Sequence, residues 1–308
     1  MMALDLAGIS KSFGGRPVLQ DVDLAVPAGS IYGFVGENGA GKTTTMKIIL
    51  GLLPPDTGNV QVLSETVTPG ITPTNRHIGY LSDVPSFYGY MRAQEYLKLC
   101  GEITGLTAAE IATRSKEVLE QVGLTNITKK IGSYSRGMKQ RLGLAQALLN
   151  QPALLICDEP TSALDPLGRR AFLDIFASLR GKTTVLFSTH ILNDVEAICD
   201  HVAILHEGQI QMAGSLADIK STHGKYNYQL RFAETSTLHT CQRYLTEAGI
   251  DSSISQEGQL LQIPTLAPET DGQRLLTLLA QHQLVPRRFE LVAPSLEQIF
   301  LKVVGSHA

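Results

Sequence analysis

Gly36-Glu37-Asn38-Gly39-Ala40-Gly41-Lys42-Thr43-Thr44 is the stretch that decides the fold of this 308-residue chain. It satisfies the spacing G-x-x-x-x-G-K-[ST], with Gly36, Gly41, Lys42 and Thr43 in the fixed places. An apolar, strand-like run precedes it (Ile31, Tyr32, Phe34, Val35), and a helix-like run follows (Thr44, Met46, Ile48, Ile49, Leu50). Strand, glycine-rich loop and helix in that order predict a phosphate loop rather than an ordinary turn. Small residues let backbone N–H groups wrap a polyphosphate, and the helix points its positive end at it. Lys42 would reach the β- and γ-phosphates as a point charge, and the Thr43 hydroxyl would hold Mg²⁺. The ligand implied is a nucleoside triphosphate.

Working outward, the length suggests two domains, or one with an appendage, at roughly 150 residues per domain. Hydrophobic residues make up 43% and charged residues 18%, a composition that buries a real core. A formal charge of −3 argues against a broad nucleic-acid-binding surface. Cys100, Cys157, Cys199 and Cys241 form no C-x-x-C pair and read as reduced thiols of a cytosolic protein. The start, MMALDLAG, lacks a basic region followed by an apolar stretch, so no secretory signal is expected from it. The longest uncharged run, Leu142 to Cys157, contains Gln146, Asn150, Gln151 and Pro152. It falls short of the ~18 apolar residues of a membrane span and reads as a helix end, a turn and a buried strand. Any membrane role must come through a partner.

Residues Leu4 to Val26 predict an antiparallel β start edging the sheet that carries the phosphate loop. Phe13, in KSFGG, could stack on adenine or be a core or hairpin aromatic, and both readings stay open. After the first helix come a turn cluster (Leu53 to Gly58), a strand (NVQVL) and a strand at Ile78 to Leu81. From about 93 to 150 the apolar spacing becomes helical, an insertion within an α/β domain. Next come the strand of QPALLICDEP, a helix from Pro166 to Leu179, the strand TTVLFS and a helix from Ile191 to Cys199. HVAILHEGQIQMAG reads as a hairpin turned at Glu207-Gly208. A boundary is expected near Ser221 to Gly224, giving domains 1–220 and 225–308. Beyond it the order is strand (Tyr226–Phe232), helix (Ser236–Ala248), hairpin (Ser252–Ile263, turned near Glu257-Gly258), helix (Gly272–Gln281) and strand (Arg287–Leu291). That is the split βαβ, ferredoxin-like order, closed by a last helix in PSLEQIFLKVV.

Chemistry needs more than a phosphate loop. Ala153 to Pro160, ALLICDEP, is an apolar strand ending in two adjacent carboxylates. Asp158 is the acidic partner of Thr43 for Mg²⁺, and Glu159 is placed to polarise the attacking water as general base. Ser135 and Gly137, in YSRGMKQR before a helix, make a second, exposed anion site at a helix N-terminus. His190, in FSTHIL, ends a strand where it can contact a γ-phosphate, or it is a helix-cap or core histidine.

In this order the parts resemble the ATP-binding subunits of ABC transporters, over essentially all of Leu4 to Gly214. That family runs aromatic loop, Walker A, glutamine loop, signature, Walker B, D-loop and His switch. Here these are Phe13, GENGAGKT, a loop at Asp83, YSRGMKQR, LLICDEP, SALD (Ser162 to Asp165) and His190. The resemblance implies an α/β P-loop NTPase core with an antiparallel β subdomain and a helical insertion. It implies ATP and Mg²⁺ as ligands, and a head-to-tail dimer, here a homodimer. ATP would lie between one subunit's Walker A and the other's Ser135 and Gly137. Phe13 would stack adenine, Glu159 activate water, and His190 bridge the γ-phosphate to the partner's D-loop. A separate membrane-spanning permease is the expected partner, with this chain cytoplasmic and peripheral on the cytoplasmic face of the membrane, and Phe87, Tyr88 and Tyr90 in the loop that faces the permease.

Three departures qualify the match. The usual LSGGQ reads Tyr134-Ser135-Arg136-Gly137-Met138, which looks like the exporter branch that includes bacitracin, daunorubicin and lantibiotic resistance systems. Asp83 replaces the glutamine of G-Y-x-x-Q; a carboxylate can bind Mg²⁺ or accept from water but, ionised, donates nothing. It equally fits a solvated turn aspartate. The C-terminal module lies outside the ATPase core and offers no catalytic pair or metal cluster. A soluble ABC ATPase is the alternative, opposed by a single cassette and no coiled-coil insertion. A non-hydrolytic switch is opposed by Glu159.

Overall fold

The computed structural model describes the chain apart from residues 71, 163, 225, 256–259 and 306–308. It forms two compact units, Met1–Leu216 and Ala217–Ala308. The division falls a few residues before the expected one.

In the first unit, β1 (Met2–Phe13) and β2 (Arg16–Pro27) form a long antiparallel hairpin. β3 (Ile31–Val35) follows, then the phosphate loop and α1 (Lys42–Ile49). β4 (Thr57–Val62) and β5 (Glu65–Thr66) return to the hairpin, giving a sheet of order β2-β1-β4-β5. The hairpin therefore does not edge the sheet carrying the phosphate loop, contrary to the sequence expectation. Burial explains why. Along β2 from Leu19 buried and exposed residues largely alternate, as in a sheet with one wet face, whereas every residue of β3 is buried. A strand with one polar face has no place in a sheet covered on both sides.

The main sheet adds β6 (Ile78–Leu81), β7 (Leu154–Cys157), β8 (Thr184–Thr189), β9 (His201–His206) and β10 (Gln209–Ser215). Its order is β10-β9-β3-β8-β7-β6, parallel except for the β10 edge. Between β6 and β7 lie α2 (Ala93–Ile103), α3 (Ala108–Gln121) and α4 (Arg136–Leu148), the expected helical insertion. Thr107 and Glu110 form a capping box at the start of α3. α4 lies close against β6: a Cβ on Gly79 would come within 2.2 Å of the Ala147 carbonyl oxygen, and one on Gly143 within 2.7 Å of Leu81. α5 (Pro166–Leu179) and α6 (Leu192–Ile198) flank β8 in sequence. One apolar cluster joins the two sheets, with Leu4, Leu6 and Leu24 from the hairpin, Met46, Ile48 and Ile49 from α1, and Phe34, Ile156 and Leu186 from the main sheet. Burying side chains of this size stabilises by about 1.5–3 kcal/mol each.

The second unit opens with α7 (Leu216–His223), whose first residue ends the first unit; the sequence reading placed only a boundary here. β11 (Tyr226–Arg231), α8 (Thr235–Glu247), β12 (Ser253–Ile254), β13 (Leu261–Thr265), α9 (Pro268–Gln281), β14 (Arg288–Val292) and α10 (Leu296–Gly305) complete it. The antiparallel order β12-β13-β11-β14 is that of a ferredoxin-like sheet. α9 begins at Pro268 rather than Gly272, because proline is pre-shaped for a first helical turn. The expected turn at Glu257-Gly258 lies outside the described residues. This unit has its own core, including Leu230, Leu238, Leu245, Ile263, Leu275 and Leu279. Among the described residues no helix is long and apolar enough to cross a membrane.

Candidate active site

Five buried residues of β3 deliver the chain to the phosphate loop. The turn into α1 needs a left-handed residue, and Gly41 supplies it at φ 112°. A Cβ there would also come within 2.6 Å of Leu19. No side chain caps α1, and its first turn holds no acid, so its first N–H groups remain available to an anion.

These groups face a cavity of about 280 Å³ lined by Val18, Asn38, Gly39, Gly41, Lys42, Thr43, Thr44, Asp83, Asp158 and Glu159. Lys42 is almost fully buried. Its Nζ donates to the carbonyl oxygens of Gly36 (2.6 Å) and Glu37 (3.0 Å) and lies 3.1 Å from Glu159 Oε1. That last contact is an ion pair without hydrogen-bond geometry, which leaves Oε1 unsatisfied. Ala40 closes the loop from beneath, buried in the core, with its N–H on the Glu37 carbonyl.

The carboxylates come from the end of β7. Thr43 Oγ1 donates to Asp158 Oδ2 (2.8 Å), and Ser188 Oγ donates to Asp158 Oδ1 (2.7 Å). Ser188 also accepts from the Glu159 backbone N–H (2.8 Å), so a fully buried serine on β8 fixes both acids. Glu159 has φ 45°, a strained value for a residue with a side chain, of order 1–3 kcal/mol. His190 Nδ1 lies 2.9 Å from Glu159 Oε2, so the imidazole donates to the carboxylate when that nitrogen carries the proton. Asp83 Oδ1 accepts from Ser162 Oγ (3.1 Å), which joins its loop to the segment after β7. Behind them, Thr161 Oγ1 (2.7 Å) and Arg169 Nε (2.5 Å) donate to the buried Asp194 carboxylate at the start of α6. Burial, then the nearby charge of Asp158, pushes the Tyr80 phenol up to about 12. Burial raises the Cys157 thiol well above its ordinary range, so it is not a nucleophile.

The fold thus gathers Lys42, Thr43, Asp158, Glu159 and Asp83 around one cavity, with His190 joined to them through Glu159. It does not add Phe13, Ser135 or Gly137 to the cavity lining. Phe13 ends β1 with its ring half exposed. Ser135 caps α4, its Oγ accepting from Met138 N–H (3.2 Å). Gly137, expected exposed, is half-buried, because its Cα faces Leu164. Ser188 and the Thr161–Asp194–Arg169 network escaped the sequence reading, as did the bond of Ser162, named there within SALD, to Asp83. Only the apolar strand ending in Ser-Thr-His hinted at Ser188.

Residues 19–162 match the family model described as ABC transporter. Residues 214–304 match that described as ATP-binding protein DrrA1-3-like, C-terminal domain. The chain is 38% identical over 302 residues to the uncharacterized ABC transporter ATP-binding protein YxlF of Bacillus subtilis, covering 98% of this chain and 99% of that one. It is 34% identical to the bacitracin transport ATP-binding protein BcrA of Bacillus licheniformis, with coverage of 96% and 95%. A solved structure of the ATP binding subunit of an ABC transporter superposes with a TM-score of 0.64 at 33% identity, covering 71% of this chain and 92% of the other.

Proposed function

The chain belongs to the ABC transporter family of ATP-binding subunits, and we propose that it powers export of an antibiotic or drug-like compound through a separate membrane-spanning permease. Membership makes it an ATP-binding, ATP-hydrolysing cassette. The observation that carries the site reading is the cavity itself: uncapped helix amides, Lys42 and the Asp158–Glu159 pair converge on one space.

The side chains fit a metal. Thr43 and Asp158 present oxygens 2.8 Å apart, and Asp83 lines the same cavity. These are hard donors suited to Mg²⁺. No group of three His, Cys, Asp or Glu side chains that could hold a metal occurs among the described residues, so phosphate oxygens would complete the set. Bound there, Mg²⁺ would offset charge on the β- and γ-oxygens.

Lys42 is held by two loop carbonyls and Glu159. An arriving triphosphate takes over the ammonium and the N–H groups of the loop, which frees Glu159. Glu159 then accepts a proton from water as its oxygen attacks the γ-phosphorus and the bond to the bridging oxygen of ADP breaks. His190 holds the Glu159 carboxylate in place. Ser135 and Gly137, exposed and half-buried outside this cavity, would meet the triphosphate of a second copy, giving a head-to-tail homodimer with two shared sites. Phe13 would stack the adenine. Binding closes the dimer and hydrolysis removes the bridge. The cargo class follows from likeness to the bacitracin transport ATP-binding protein and to the DrrA1-3-like C-terminal domain. The chain would then sit on the cytoplasmic face of the membrane.

A tagged Glu159→Gln protein, pulled down with ATP and Mg²⁺ from detergent-solubilised membranes of its host, tests this. A co-purifying multi-span membrane protein is the expected result. Recovery of soluble partners alone would sink the exporter reading.

A further inference from the structure

Lys11 is the anomaly of the β1–β2 hairpin. Its ammonium is on a side chain only 11% exposed, in a sheet whose buried residues are otherwise largely apolar. Burying such a charge is unfavourable unless it is paired. The partner is Asp56, 45 residues away, whose Oδ1 accepts from Lys11 Nζ at 2.7 Å. The other oxygen of the same carboxylate accepts from the Ser12 backbone N–H at 2.7 Å, and the Asp56 N–H donates to the Ser10 carbonyl. Asp56 thus ties three successive residues before Phe13, Lys11 and Ser12 through its carboxylate and Ser10 through its backbone N–H. Lys11 Nζ in turn lies 5.7 Å from the centroid of the Phe13 ring, within cation–π range. The hydrogen bond from Lys11 holds the Asp56 carboxyl below its ordinary range, as a working ion pair should.

From this geometry we infer that Lys11 and Asp56 are positioning residues for the nucleobase, fixing the Phe13 ring with a cation on one face and leaving the other to adenine. The inference rests on the reading that Phe13 stacks the base. A half-exposed ring at a hairpin tip would otherwise exchange rotamers freely and lose that freedom on binding. The clamp fixes the ring before ligand arrives.

The test compares ATP with inorganic tripolyphosphate, which uses the phosphate loop but carries no base, by calorimetric titration of the full chain. Lys11→Met keeps the apolar stem, Asp56→Asn keeps the shape, Lys11→Arg keeps the cation, and Phe13→Ala removes the platform. Lys11→Met and Asp56→Asn should each weaken ATP about three- to fivefold, the range of an exposed cation–π contact, with tripolyphosphate unchanged. Lys11→Arg should stay within about twofold of the parent, as a cation of either type serves. Should Phe13→Ala lose ATP affinity while Lys11→Met and Asp56→Asn do not, the positioning role is refuted and base stacking survives. If Phe13→Ala binds ATP normally, the stacking reading beneath it fails. An equal loss of tripolyphosphate would assign Lys11 and Asp56 to hairpin folding instead.

Discussion

Glu159→Gln is the substitution most informative about the phosphate site, because Glu159 and a bound phosphate compete for the same ammonium. Lys42 Nζ and Glu159 Oε1 lie 3.1 Å apart, with side chains 6% and 15% exposed. Two unit charges at that distance attract by about 5 kcal/mol at an effective dielectric of 20. Desolvation offsets most of this, so the useful comparison is a charged contact against a neutral one. The pair has no hydrogen-bond geometry, so what the amide forgoes is the Coulombic remainder left after desolvation, on the order of 1 kcal/mol. The amide keeps the shape but releases Lys42 more readily, so diphosphate and triphosphate should both bind about fivefold tighter. ADP is the ligand to use, in calorimetric titration, because it has no γ-phosphate to bridge two protomers and confuse affinity with dimerisation. Turnover should meanwhile fall by about 10²–10⁴, the usual effect of losing a general base. An ADP affinity that is unchanged or weaker in Glu159→Gln refutes the competition. Unimpaired hydrolysis refutes the base.

Three other perturbations follow from contacts described above. Ser188→Ala leaves an Asp158 oxygen and the Glu159 N–H without their partner, and should destabilise the first unit by about 2–3 kcal/mol, read as a lowered thermal midpoint. A midpoint within 1 °C or so of the parent would show that water replaces the hydroxyl. Arg169→Met strands the buried Asp194 charge and should destabilise by about 3–5 kcal/mol; adding Asp194→Asn should recover much of the loss, and strict additivity of the two would deny their coupling. Asp56 has a folded pKa depressed below the ordinary 3.8 by its bond from Lys11. Its contribution is therefore fully present above 3.8 and lost as pH falls through the depressed value. The stability gap between parent and Asp56→Asn should hold from neutral pH to about 5 and close in stronger acid. A gap that widens on acidification would reverse the assigned sign.

Elements whose signal is local were legible from the residues. β6 at Ile78–Leu81 and α5 at Pro166–Leu179 fall where apolar runs, proline and turn residues put them. The phosphate loop and the Asp158–Glu159 pair were equally plain, since the chemistry demands those residue types at strand ends. What was missed is long-range. The separation of the hairpin into its own sheet is in principle readable from its alternating polarity, set against the solid apolar run of β3. α7 offers only Leu216 and Ile219 as buried apolar residues, too few for a helical period to stand out. Ser188 meets Asp158 across 30 residues, and Asp83 meets Ser162 across 79. A serine's partner at such range depends on strand order, which no single stretch encodes.

The close fit of α4 on β6 has a mechanical consequence. At Gly79 the strand meets the helix carbonyl of Ala147 with no room for a side chain, near one end of α4, while Ser135 caps the other. The intervening length is about 18 Å at 1.5 Å per residue. A tilt of about 5° around that fulcrum carries Ser135 through roughly 1.5 Å, half the length of a hydrogen bond. β6 continues into the loop bearing Asp83, Tyr88 and Tyr90, and Gly143 of the same helix faces Leu81 and Pro85 at that junction. Pro85 meets the helix at Gly143, about 6 Å from that fulcrum, so a displacement there would be magnified roughly threefold at Ser135.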